Sequence, residues 1–180
     1  MLLKSLKGSR LAIGSYPHFF YNASNGGGKA LVIQSDKGNI QHLKFDPKRF
    51  SIPSLNWRTT KIFGLPLLPG LDIKMCMNKL EGSLDHETGE MELYFESEFI
   101  FSLFLVFRFP SLSVKTKLTT GKVKSNLFQE EGMGLRDDGK LSLVGISTIQ
   151  STGNRSLDVF LRLPSEALAV LQCELKGTHC

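Results

Sequence analysis

Between Glu90 and Pro110 the chain reads EMELYFESEFIFSLFLVFRFP, and this stretch limits the possible folds more than any other. Its first half places Met91, Leu93, Phe95, Ser97, Phe99 and Phe101 on one parity and Glu90, Glu92, Tyr94, Glu96 and Glu98 on the other. A period of two is a β-strand with one dry face and one wet face; a helix would mix the glutamates with the phenylalanines. From residue 100 the wet parity becomes Ile100, Ser102, Phe104 and Val106, so both faces are apolar until Arg108 and Pro110. Such a strand needs cover on both sides. The run Phe99 to Phe107 is nine residues long, whereas a helix spanning a bilayer needs about 20, so it does not cross as a helix. A straight strand from Glu90 to Phe109 is longer than strands usually are, which predicts a bend or bulge near Ser102.

The flanking segments repeat the period. DIKMCMNKLEGSL alternates Ile73, Met75 and Met77 against Lys74, Cys76 and Asn78, and His86 to Gly89 supplies a turn, so a hairpin is expected. Downstream, Leu112, Val114, Thr116 and Leu118 alternate with Ser113, Lys115, Lys117 and Thr119. Residues 81 to 100 hold seven acidic residues and no Lys or Arg, and residues 101 to 126 hold five basic residues and no acid. Glu92 and Glu96 are therefore expected to face Lys115 and Lys117 across neighbouring strands. Asp137-Asp138-Gly139 is a turn before LSLVGISTI, Gly153-Asn154 is a turn before a strand LDVFLRL, and LAIGSYPHFFY, KALVIQS and IQHLKF are earlier strands. Pro164 to Gln172 (PSEALAVLQ) has good helix formers behind a Ser165 cap and predicts a two-turn helix. Residues 50 to 70 hold three prolines and two glycines among bulky apolar residues, an irregular arm. These readings give a single β domain over residues 1–180. Its expected class is all-β: an antiparallel β-barrel of calycin or lipocalin character, or a β-sandwich, with one short C-terminal helix.

Most chemistry is excluded by pattern. Gly26-Gly27-Gly28-Lys29 lacks the Ser or Thr after the lysine, the earlier glycine and the following helix of a phosphate-binding loop. His18, His42, His86 and His179 lack the i, i+4 pairing and carboxylate company of a zinc hydrolase, and Cys76, Cys173 and Cys180 are too few and scattered for a disulfide framework or a closed zinc site. They read as the thiols of a reducing compartment. The net charge of +5 favours acidic partners, but Lys115, Lys117, Lys122 and Lys124 have no interleaved aromatics, so nucleic-acid binding is not expected. The opening MLLKSLKGSR is charged without an apolar core and reads as neither signal peptide nor anchor. No catalytic residue, metal ligand or cofactor is assigned.

The wording of IPSLNWRTT (Ile52 to Thr60), GLPLLPGLDI (Gly64 to Ile73), LEGSLDHETG (Leu80 to Gly89), KLTTG (Lys117 to Gly121) and LPSEALAVL (Leu163 to Leu171) resembles a β-rich protein group of cyanobacteria and chloroplasts that has no named function. The resemblance implies a photosynthetic setting, in the chloroplast or the cyanobacterial cytoplasm, soluble or peripheral to thylakoids; the residues alone read as cytoplasmic. It carries no functional residues with it.

What remains is an apolar excess: the phenylalanines of residues 95 to 109, Met75, Met77, Met91 and the arm from Phe63 to Leu71. The expected function is non-enzymatic binding of a lipid, isoprenoid or pigment in a β-barrel, with Phe99, Phe101, Leu103, Phe104, Val106 and Phe107 as ligand-binding residues. The alternative is an interaction or assembly factor whose apolar patch docks on a membrane-associated protein or a membrane surface. An exposed patch at Phe104 and Val106 favours the alternative, and a cavity lined by Phe99, Phe101 and Leu103 favours the ligand.

Overall fold

Residues 1–34 and 39–177 are described by the structure, a computed structural model; His179 and Cys180 lie outside them, as does most of the SDKGN loop. The chain forms β1 (Leu2–Ser5), β2 (Ser9–Ile13), β3 (Phe19–Tyr21), β4 (Gly27–Gln34), β5 (Ile40–Phe45), β6 (Thr60–Ile62), β7 (Leu65–Pro66) and β8 (Leu71–Asp85). There follow β9 (Met91–Leu103), β10 (Phe107–Arg108), β11 (Leu112–Thr119), β12 (Lys122–Lys124), β13 (Gln129–Glu131), β14 (Lys140–Ile149), helix α1 (Arg155–Leu161) and β15 (Ser165–Lys176). Eight strands pair antiparallel in the order β1, β4, β5, β8, β9, β11, β14, β15, and β15 pairs back onto β1, which closes a ring. β2, β3, β6 and β7 extend from β15 as a branch, and β12 and β13 form a separate hairpin.

The alternation read from the sequence builds the interior. Met91, Leu93, Ser97 and Phe101 of β9 are buried, while Tyr94 is half exposed. One apolar cluster includes Leu3, Leu43, Phe45, Leu84, Met91, Leu93, Leu118, Leu141, Leu143, Cys173 and Leu175, with Ala30 and Val32 packed against it, so all eight ring strands meet inside. Eight strands enclose a space that side chains can just fill. In β8 the inward parity changes from odd, ending at Met77, to even, at Leu80 and Leu84; a bulge between Met77 and Lys79 shifts the register by one residue and keeps both halves facing inward. Cys173, wholly inside, has its thiol pushed up to about 12 by burial.

Three expectations are corrected. Residues 165–176 are strand, not helix: Cys173 and Leu175 point into the ring, while Leu168 and Val170 point outward and are covered by Val123 and Phe128 of the β12–β13 hairpin. Burial on both faces produces the unbroken run ALAVL, whose periodicity no longer separates strand from helix, and packing overrides propensity. The helix lies instead at Arg155–Leu161, where a strand was expected. Asn154 caps it by accepting from the Leu157 amide at 2.9 Å, and Leu157 and Leu161 bury against Phe101, Leu112 and Ile149. Finally, no bulge relieves β9 at Ser102, which stays paired to Asp72; the chain reverses at residues 104–106 and returns as β10.

The charged rows meet as expected. Lys115 pairs with Glu96 at 3.5 Å directly across the ladder, and Lys117 reaches Glu92 diagonally at 2.7 Å, a hydrogen bond that raises the lysine pKa above its ordinary value. Both pairs are solvated, so each should contribute about 0.2–1 kcal/mol. Reversing Lys115 and Lys117 to Glu is expected to lower stability modestly, and adding Glu92→Lys and Glu96→Lys to recover part of the loss. Urea unfolding of the four-member cycle at low and high salt measures the coupling, which salt should largely remove.

A candidate docking surface at one end of the ring

Strand register sorts the chain into two ends. Leu71 pairs with Leu103, Leu112 with Phe99, Ile149 with Ser165, Ile13 with Ala167 and Phe19 with Ile62, so the β6–β7 turn, the β9–β10 turn and α1 all lie at one end. At the other, Ile40 pairs with Asp85, Lys140 with Glu174 and Leu2 with Lys176. The first end gathers most of the exposed large apolar side chains: Phe63, Leu65 and Leu68 of the arm, Phe104, Leu105, Val106 and Phe107 of the β9–β10 turn, and Val159 and Phe160 of the helix. Trp57 and Phe20 lie close by, half exposed. Residues 104 to 107 are 64, 80, 75 and 63% exposed. Four consecutive residues at that level cannot lie flat on a surface; the turn projects.

The two apolar turns share an unusual backbone. Phe63 and Gly64 have φ of 51° and 78°, and Phe104 and Leu105 have φ of 52° and 62°. Two successive positive φ values are the pattern of a type I′ hairpin turn, whose favoured residues are Asn and Gly. A bulky L-residue in this region costs about 1–2 kcal/mol. Both turns nevertheless carry Phe first, and the second carries Leu as well. Phe104 is anchored from below: its amide donates to the Gly70 carbonyl at 2.7 Å, and its ring covers Gly70, where an added Cβ would lie 2.4 Å from ring carbon Cε1. Gly70 also has φ of 87°, so this position needs glycine on both counts.

Helix α1 closes the same end. Asp158 accepts hydrogen bonds from the Ser151 hydroxyl, from the Thr152 amide and hydroxyl at 2.8 and 2.6 Å, and from the Gly153 amide. These donors hold its carboxyl below the usual carboxylate range. A depressed folded-state pKa contributes stability that is fully present above the ordinary value and lost as pH falls through the lower one. The loop before α1 is thus expected to hold through mild acid and loosen only below about pH 4; hydrogen exchange of residues 151–161 across that range is the check. Tyr16 donates its hydroxyl to the Phe160 carbonyl and tilts against the Phe160 ring, while Arg162 lies over Tyr16 at 5.3 Å.

The six residues expected to line one site are divided. Phe101 is buried, Phe99 is packed against the Phe101–Leu157 cluster, and Leu103 is intermediate; Phe104, Val106 and Phe107 face outward. Leu105, Val159 and Phe160 join the outward group without having been singled out by the sequence reading. Leu157 and Leu161 stand four apart, with Val159 and Phe160 between them, a helical spacing that the strand reading of LDVFLRL hides. Two hollows indent the surface, the second of them beside α1 at this same end. One, of about 460 Å³, lies among Glu92, Lys117, Thr120, Lys122 and Lys124, and the other beside Arg155, Asp158 and Arg162; both are open to solvent. Among the described residues no three His, Cys, Asp or Glu side chains converge as metal ligands, and no helix is long and apolar enough to cross a membrane. No family model, curated protein or solved structure matches this chain.

The turn geometry sets an expectation opposite to that for a core. Phe104→Asn with Leu105→Gly replaces two strained apolar residues by those a type I′ turn favours, and should raise stability by about 1 kcal/mol or more. Phe101→Ala, two rungs into the ring, should cost about 3–5 kcal/mol. Urea midpoints of the two variants test the contrast.

Proposed function

We propose that this protein is a non-enzymatic docking protein whose apolar end seats on a hydrophobic surface, that of a membrane or of a membrane-associated protein. The observation that carries this reading is the run Phe104 to Phe107, held outward on a strained turn beside a second such turn at Phe63. Exposed apolar patches of this kind mark interaction sites, and strain concentrates where function requires it. A peripheral position on thylakoids, in a chloroplast or a cyanobacterium, suits the reading; so does the face of any other membrane.

The second reading is an apolar ligand such as a lipid, isoprenoid or pigment inside a calycin-like barrel. The eight-strand count favours it. Against it stand the interior side chains contributed by every ring strand and the outward direction of Phe104, Val106 and Phe107. Native mass spectrometry of protein purified from its own host tests it, since a retained small molecule would restore the ligand reading.

The docking reading is tested with micelles of an uncharged detergent, which offer an apolar surface without headgroup charge. Wild type is expected to co-migrate with dodecyl maltoside micelles in gel filtration. Phe63→Glu with Phe104→Glu should migrate as free protein while melting within a few degrees of wild type. Equal migration of the two proteins would sink the reading.

A further inference from the structure

The docking reading leaves open which surface is met, and the charges around the apolar end select one. Arg58, Lys61, Arg108, Arg155 and Arg162 are all exposed at this end: Arg108 follows Phe107, Lys61 pairs with Phe20 and Pro66, Arg58 stacks over Trp57 at 4.9 Å, and Arg155 and Arg162 flank α1. Among the described residues none of the five makes an ion pair; elsewhere Lys79, Lys115, Lys117, Lys122, Lys140 and Lys176 do, while Lys4, Lys29, Lys44 and Lys124 do not, so what distinguishes this end is that its cations surround apolar turns. The carboxylates of the apolar end are mostly engaged. Asp72 accepts from the Asn56 amide group at 3.2 Å, Asp158 holds residues 151–153, and Glu166 holds the Ser125 hydroxyl at 2.6 Å and the Leu127 amide at 2.9 Å. The opposite end presents Asp85, Glu87, Glu90, Asp137 and Asp138 in its turns. The molecule therefore carries apolar side chains and exposed cations without carboxylate partners together at one end, with turns rich in acidic residues at the other.

Resting on the docking reading, we propose that the surface is an anionic lipid bilayer, which the ring meets end-on. Phe63, Leu65 and Phe104 to Phe107 enter the boundary between headgroups and acyl chains, while the cations, set around them, meet lipid phosphates. Two projecting turns suit a fluid surface that closes around them; a protein partner would need a matching pair of pockets. Apolar insertion plus a basic rim is the two-signal arrangement that stable peripheral attachment requires. Tyr16 and Trp57, each beside an arginine, are amphipathic rings of the kind that settle at headgroup level.

Flotation with phosphatidylcholine vesicles, plain or containing about one third phosphatidylglycerol, tests this. Wild type is expected to float with the anionic vesicles, to bind the plain ones much more weakly, and to be released by salt. Lys61→Ala with Arg108→Ala should weaken anionic-vesicle binding roughly 25-fold, about fivefold per charge, and leave micelle co-migration unchanged. Phe63→Glu with Phe104→Glu should lose both. Should the glutamates disturb the fold, Phe104→Asn with Leu105→Gly provides a stably folded variant that is still expected to lose vesicle binding. Equal binding to plain and anionic vesicles, or wild-type binding by the Lys61/Arg108 variant, overturns the anionic-bilayer proposal while leaving docking intact. Micelle binding without binding to either vesicle does the same and points to a protein surface. Failure of the micelle test removes the docking reading itself.

Discussion

The pairing of β1 with β15 is the interaction on which the rest depends. Leu2, Leu3, Lys4 and Ser5 lie opposite Lys176, Leu175, Glu174 and Cys173, and β1 pairs on its other side with β4. Without that rung the ring is an open sheet that exposes the edges of β1 and of Cys173–Lys176, and an unpaired edge is a template for aggregation. With it, each of the eight strands has a paired neighbour on both sides, through a single paired position between β11 and β14, and Leu3 can join Leu43, Leu141 and Leu175 in one cluster. Gly27 is what lets the strands come so close: an added Cβ there would fall 2.1 Å from the Leu3 carbonyl oxygen. Closure also fixes the two ends of the ring, and with them the separation of apolar turns from acidic ones.

Much of this architecture is legible in the sequence because β9, β8 and β11 are covered on one face only. Their alternation survives in the letters, and the facing of Glu92 and Glu96 by Lys115 and Lys117 follows from it. Legibility fails where cover is two-sided or where a segment lies across the opening. β15 is apolar on both parities because β12 and β13 cover its outer face. LDVFLRL is helical because Leu157 and Leu161 find an apolar opening to seal, a feature of the closed ring that no local window contains. The site is legible in part. The double parity after Glu98 spans both the buried Phe101 and the exposed turn, because burial and projection leave the same letters, and only the reversal at residue 104 separates Phe101 from Phe104.

The strained turns and the exposed apolar side chains they carry are separate departures from what folding alone favours. A hairpin optimised for stability would place Asn-Gly where Phe104-Leu105 stands, and a surface optimised for solubility would not ring Arg58, Lys61 and Arg108 around exposed Phe63 and Phe104. Both fall at the end sealed by α1, where five exposed Arg and Lys side chains also lie. On the docking proposal their coincidence ties stability to binding there: mutational drift toward better turn residues would harden the fold and remove exposed apolar surface.

The register of β1 with β15 has a consequence for any sequence attached to this domain. Leu2 lies opposite Lys176, beside the acidic turns and a full ring length from Phe63 and Phe104. A tether, fluorophore or fused domain joined at either end of the described chain thus departs from the face turned away from the apolar turns. On the proposed end-on docking the domain is a stud driven point-first, with both wires soldered to its head: whatever is fused to it would be held off the surface by the length of the strands, and immobilising it through either end of the described chain leaves the apolar turns free.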